Sequence, residues 1–65
     1  MTAEEHIQAL RDLMRISWED DVAEATRLAE RAEAQGATWR AKFHRDSVKR
    51  LEAMDKPWEK PMPVF

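Results

Sequence analysis

The sequence contains no cysteine and no tyrosine, only one glycine, and three prolines that all lie within its last nine residues. Without cysteine, no disulfide can cross-link the chain and the thiolate ligands of most structural zinc sites are missing. A chain of 65 residues buries only about 60% of the surface that its unfolded form exposes. Small domains without such cross-links often gain stability from a second subunit. The sequence therefore predicts self-association, most simply as a homodimer.

Long apolar runs are also lacking. The longest stretch without a charged residue is Ala34 to Trp39, six residues, whereas a membrane-spanning helix needs about eighteen or more. The first residues, Met-Thr-Ala-Glu-Glu, lack the basic and apolar regions of a signal peptide. Together with the absence of cysteine, these features predict a cytoplasmic protein that has no membrane partner.

The few helix-breaking residues divide the chain into three parts. Because Gly36 and the prolines are the strongest breakers, we predict an all-α hairpin with a long helix over residues 3–35 and a second helix over 38–55. An extended, proline-rich apolar tail over 56–65 follows the hairpin domain, residues 1–55. Thr2 and Glu5 have the spacing of a capping box. Gly36 suits the left-handed position after the first helix, and Thr38 is the predicted N-cap of the second.

A three-helix bundle with a break at Ser17 is the alternative to the long helix. Ser17 is followed by Glu19, Asp20 and Asp21, which is typical of a helix N-terminus. An apolar stripe that continues past this point, and the i,i+4 pair of Arg15 and Glu19, favour one continuous helix.

The apolar residues predict how the two helices pack. With only Gly36 and Ala37 between them, the helices are expected to be antiparallel. The predicted contact on the second helix consists of Trp39, Phe43, Leu51 and Met54. Its predicted counterpart on the first helix consists of Trp18, Val22, Ala25, Ala29 and Ala32.

The first helix is longer than the second, so the N-terminal half of its stripe lacks a partner within the hairpin. A second chain, or another protein, would bury more apolar area there than the tail could. The residues predicted to form this dimer or partner surface are Ile7, Leu10, Leu13, Met14, Trp58 and Phe65.

No constellation of residues points to catalysis. The two histidines, His6 and His44, lie on different helices, and the sequence has no glycine-rich phosphate loop and no nucleophile motif. We therefore expect no enzymatic activity, no metal, no cofactor and no small-molecule substrate.

The charges are unevenly distributed. The net charge is −2, but residues 1–37 hold nine acids and four arginines, or −5, and residues 38–65 hold seven bases and four acids, or +3. Lys42, Arg45 and Lys49 form a stripe on the second helix that could meet a charged partner. Because the overall charge is negative, nucleic acid is not the expected ligand.

In size, helical content and lack of chemistry, the chain resembles the general run of small bacterial or phage-encoded regulators that bind and block a larger protein. This resemblance implies a helical protein-interaction module acting as an inhibitor, regulator or adaptor. Two alternatives remain: an accessory subunit of a larger complex, and a small DNA-binding regulator that uses the second helix.

Overall fold

The computed structural model describes residues 2–61, and within this range it contains only helices. Helix α1 spans Ala3–Ala34, helix α2 spans Thr38–Ala53, and a short 3₁₀ helix spans Pro57–Glu59. The two long helices pack together as the predicted hairpin. The chain leaves α2 two residues earlier than predicted, since Met54 already has an extended backbone (ψ 157°).

The N-terminus of α1 is capped as predicted. The backbone N–H of Glu5 donates to Thr2 Oγ1 at 3.1 Å, and the backbone N–H of Thr2 donates to Glu5 Oε2 at 3.4 Å. Two donors that the first turn of a helix leaves unpaired are thus satisfied reciprocally.

Helix α1 continues through Ser17, so the alternative with a break at that residue is wrong. Side chains on either side of Ser17 hold the helix together, because Arg15 Nη1 lies 3.0 Å from Glu19 Oε1. With no glycine or proline nearby, nothing in this stretch disfavours the helical backbone.

The turn between the helices follows the predicted chemistry. Gly36 has a φ of +72°, a conformation that costs little without a side chain. The N–H of Ala37 donates to the carbonyl of Ala32 at 2.8 Å, and that of Gly36 to the carbonyl of Glu33 at 3.0 Å, which is the Schellman pattern. The predicted N-cap of α2 is wrong by one residue: Ala37 occupies it, without a side-chain hydrogen bond, and Thr38 is the first helical residue.

The helices meet through small side chains. Among residues 2–61, the buried ones are Ala29, Ala32 and Ala41, and no large side chain is fully buried. Alanines allow two helix backbones to approach closely, so the contact gains dispersion without a bulky core.

The predicted α2 contact face is therefore wrong for its aromatic residues. Trp39 is 76% exposed and Phe43 51% exposed, and Met54 is exposed as well. The residues of α2 that are buried or half-buried are Ala41, His44, Ser47, Val48 and Leu51. Because the turn has only three residues, it fixes the rotation of α2, and the close approach at Ala41 places Trp39 on the far side of the helix.

The molecule is a single layer of two helices. Its Cα atoms extend over 52 × 19 × 9 Å and have a radius of gyration of 16.0 Å, whereas a compact domain of this length has a radius of about 11 Å. Because most domains pack at least two layers around a core, both broad faces of this layer are accessible.

Candidate interaction surface

The apolar face is the broad side of the layer that carries Met14, Asp21 and Leu28 of α1 and His44 and Leu51 of α2. Residues seven apart on a helix point in nearly the same direction, and both sets follow that spacing. Glu33 and Lys49 line the opposite side. Around α1, Glu33 lies about 140° from Leu28, and around α2, Lys49 lies about 140° from His44. We call that side the charged face.

A hollow of about 370 Å³ lies on the apolar face at the open end of the hairpin. Its lining combines both long helices with the 3₁₀ helix, and consists of Leu13, Met14, Ser17, Trp18, Asp21, Leu51, Met54 and Trp58. Leu13 is 64% exposed and Met14 45% exposed. An apolar concavity with one carboxylate at its edge is a surface suited to receive another protein's side chains.

Trp18 forms the floor of this hollow and joins all three elements. Its indole Nε1–H donates to the carbonyl of Leu51 at 2.7 Å. Its ring lies 5.7 Å from the ring of Trp58, with an interplanar angle of 51°, and Lys56 Nζ lies 5.2 Å from its centroid. Aromatic and cation–π contacts of this kind each contribute of order 1 kcal/mol, so Trp18 fixes the end of α2 and the 3₁₀ helix to α1.

Arg11 holds the segment after α2 against α1. Its guanidinium Nη2 donates to the carbonyl of Pro57 at 2.6 Å and reaches the carbonyls of Lys60 and, at 3.4 Å, Pro61. Within the tail that was predicted to be extended, Pro57–Glu59 form a 3₁₀ helix that packs on α1 of the same chain, with extended backbone at Lys56 and Lys60 on either side. Residues 62–65 lie outside the described part of the chain.

The predicted partner residues are brought together only in part. Leu13, Met14 and Trp58 line the open-end hollow. Leu10 is exposed and Ile7 half-buried, but neither lines it. Trp58 is half-buried against Trp18. The prediction for Phe65 lies outside the described residues.

Sequence reasoning missed five residues of this hollow as partner contacts: Ser17, Trp18, Asp21, Leu51 and Met54. Met54 and Leu51 had been predicted to pack on α1. The seven-residue spacing from Met14 to Asp21 to Leu28 was the signal that could have identified a second face on α1.

A second hollow of about 250 Å³ lies on the apolar face nearer the turn. It is more polar, and its lining consists of Leu28, Arg31, Ala32, Gln35, Arg40 and His44. Phe43 stands edge-on to His44, with ring centroids 5.4 Å apart. The apolar face thus combines aliphatic and aromatic side chains with a few charges along its length.

The charged face carries the predicted basic stripe. Lys42, Arg45 and Lys49 line one hollow of about 420 Å³ together with Glu33. Arg45 Nε lies 2.5 Å from Glu33 Oε1. This hydrogen bond, aided by charge attraction, lowers the pKa of Glu33 below its ordinary value of 4.5 and raises the pKa of Arg45. One of the three cations is therefore already paired within the chain.

An aromatic edge lies on the outer side of α2. Trp39 and Phe43 stack with ring centroids 6.0 Å apart and an interplanar angle of 17°, and Lys42 and Asp46 border the same shallow depression. Exposed aromatic pairs are uncommon on a surface with no binding role.

Within residues 2–61, no three side chains among histidine, aspartate and glutamate converge as metal ligands would. Neither α1 nor α2 is apolar enough over a bilayer's thickness to cross a membrane. Comparison of the chain with protein-family models, with curated proteins and with solved structures gives no match.

Proposed function

We propose that this protein is a non-catalytic helical interaction module of the cytoplasm, which associates with itself and acts as a regulator, inhibitor or adaptor by binding a larger protein. The observation that carries this proposal is that the small apolar residues are buried whereas most of the large ones are exposed, the reverse of the usual distribution in a globular domain. The buried residues among 2–61 are alanines, whereas Leu10, Leu13, Met14, Ile16, Trp39, Phe43 and Met54 are all exposed. Apolar surface exposed at this density is a feature of interaction sites.

The apolar face is the surface through which the proposal has the protein bind. It offers a concave, mainly apolar centre at the open-end hollow, with Asp21 at its edge and arginines toward the turn. Apolar centres surrounded by charged residues are typical of protein–protein interfaces. An accessory subunit would use the same face, but permanently, and would be unable to remain dispersed alone.

The test uses two substitutions on the apolar face and one off it. Leu10→Glu with Met14→Glu places two carboxylates on the face, and Ile16→Glu places one on the outer side of α1 at a similarly exposed position (47% against 45% for Met14). Proteins captured from the native host by the parent chain should be captured by the Ile16→Glu variant and lost by the double variant, with circular dichroism unchanged in all three. Equal capture by the double variant would exclude the apolar face.

One observation favours a second candidate, binding of single-stranded nucleic acid. Trp39 and Phe43 are exposed and stacked beside Lys42, and exposed aromatics next to cations are a platform for bases. These two aromatics were predicted to pack against α1, and their exposure leaves both rings accessible. Salt-dependent retention of an oligonucleotide, abolished by Trp39→Ala with Lys42→Ala, would support this candidate. No retention at physiological salt would exclude it.

A further inference from the structure

The apolar face has the area that a stable dimer needs. The Cα extents of 52 and 19 Å give this face a footprint of roughly 1,000 Å², compared with about 800 Å² per partner in a standard interface. The layer is only 9 Å thick, so a second layer would supply the core that one chain lacks. Of the possible occupants, only another copy is certain to present a face of the same length and width.

The charges of the two helices decide how such a copy would lie. Helix α1 carries nine acids and four arginines, a net −5, and helix α2 carries five bases and two acids, a net +3. Stacking α1 on the partner's α1 would oppose two strongly negative helices. Stacking α1 on the partner's α2 gives every helix two neighbours of opposite net charge, one in its own chain and one in the partner. This charge complementarity also favours the pairing of α1 with α2 over the pairing of α1 with α1.

We propose that a second copy of this chain covers the apolar face, with α1 of each copy lying antiparallel on α2 of the other around a twofold axis parallel to the helices. This inference rests on the proposed function and names the first partner of that surface. The arrangement is an up-down four-helix bundle in which all adjacent helices are antiparallel. It places each open-end hollow against the same hollow of the other copy, as a self-complementary interface requires.

The arrangement leaves each charged face pointing outward. The basic stripe of Lys42 and Lys49 and the aromatic edge of Trp39 and Phe43 then lie on the outside of the dimer. A larger protein that binds the apolar face would therefore have to displace the second copy, whereas the outer surfaces stay accessible in the dimer.

The first experiment measures mass in solution by sedimentation equilibrium. The parent should have twice its chain mass of 7.7 kDa at micromolar concentration, and so should the Ile16→Glu variant. Met14→Glu should weaken the dimer Kd at least tenfold, because burying one unpaired carboxylate costs more than the ~1.4 kcal/mol that a factor of ten requires. A monomeric parent, or a Met14→Glu variant with the parent's Kd, would overturn the proposal.

The second experiment tests the arrangement and uses the absence of native cysteine. Ser17 of α1 and Met54 of α2 line the same open-end hollow, so in the proposed dimer each faces the other residue across the axis. A Ser17→Cys chain mixed with a Met54→Cys chain should form mainly the mixed disulfide on mild oxidation. Predominance of the Ser17→Cys homodimer would overturn the arrangement in favour of α1 on α1.

The outcomes separate this inference from the proposed function. If the parent is monomeric while Leu10→Glu with Met14→Glu still loses a captured protein, the apolar face binds that protein and the homodimer is wrong. If the parent is dimeric and the captured protein is retained by the double variant, the homodimer stands and the larger partner binds elsewhere.

Discussion

The hairpin is held together differently at its two ends. Near the turn, α1 and α2 meet through the buried alanines Ala29, Ala32 and Ala41, and the contact is complete without other elements. At the open end, the helices are bridged by Trp18, whose ring packs against Trp58 of the 3₁₀ helix. Arg11 holds that 3₁₀ helix in place through the carbonyl of Pro57. Small residues thus make the turn end self-sufficient, whereas the open end depends on additional partners and retains exposed apolar surface.

The largest expected effect comes from removing the bridge at the open end. Trp18→Ala should destabilise the fold by about 3 kcal/mol, the lower part of the range for large aromatics, because Trp18 is only half-buried. It loses the ring contact with Trp58 and the hydrogen bond to Leu51. The matched control is Trp39→Ala, which should change the unfolding free energy by no more than about 0.5 kcal/mol because Trp39 is exposed. Equal effects in urea denaturation would contradict the difference between the two tryptophans.

The turn end should be sensitive to the opposite change, an increase in volume. Ala29 is fully buried, so Ala29→Leu should force the helices apart and cost about 1–3 kcal/mol. Ala23, exposed on the same helix, provides the control: Ala23→Leu should leave the thermal midpoint nearly unchanged. If both leucine variants melt alike, the close approach of the helices at Ala29 is incorrect.

Releasing the 3₁₀ helix should have a smaller effect that is confined to the open end. Arg11→Ala removes the donor to the carbonyls of Pro57 and Lys60 and should cost about 1 kcal/mol. Amide hydrogen exchange should accelerate at Glu59 and Lys60, whose N–H groups bond within this turn, and stay unchanged around Ala41. Arg27→Ala, at an exposed arginine of the same helix, should alter neither region.

Local rules were enough to predict much of this fold. The capping box at Thr2, the left-handed Gly36 and the unbroken α1 each depend on residues within a few positions of one another. The rotation of α2 could not be predicted in this way, because it follows from the turn geometry and from the fit of Ala41 against α1. The size of the apolar side chains favoured the side of α2 that carries Trp39 as the contact face with α1, but that side is exposed.

The open-end hollow was predictable only in its α1 part. Leu13 and Met14 were predicted as partner residues because they are apolar and lie in the part of α1 that was expected to extend past α2. Both line the hollow. The contribution of Met54 depends on where α2 ends and how it is rotated. The capture of Pro57 by Arg11 joins residues 46 positions apart, a separation at which sequence spacing carries no geometric information.

The smallest expected effect concerns the ion pair on the charged face near the turn. Because the pKa of Glu33 is lowered from 4.5 by its hydrogen bond with Arg45, its contribution to stability should be present above pH 4.5 and disappear as the pH falls through the lowered value. Glu33→Gln should therefore melt slightly below the parent at pH 6 and together with it at the acidic end. Glu30→Gln provides the control, since Glu30 acts on Arg45 only through charge. Added salt should reduce the difference at pH 6, because both side chains are exposed. A difference that grows on acidification would show that the carboxylate of Glu33 is not stabilised by Arg45.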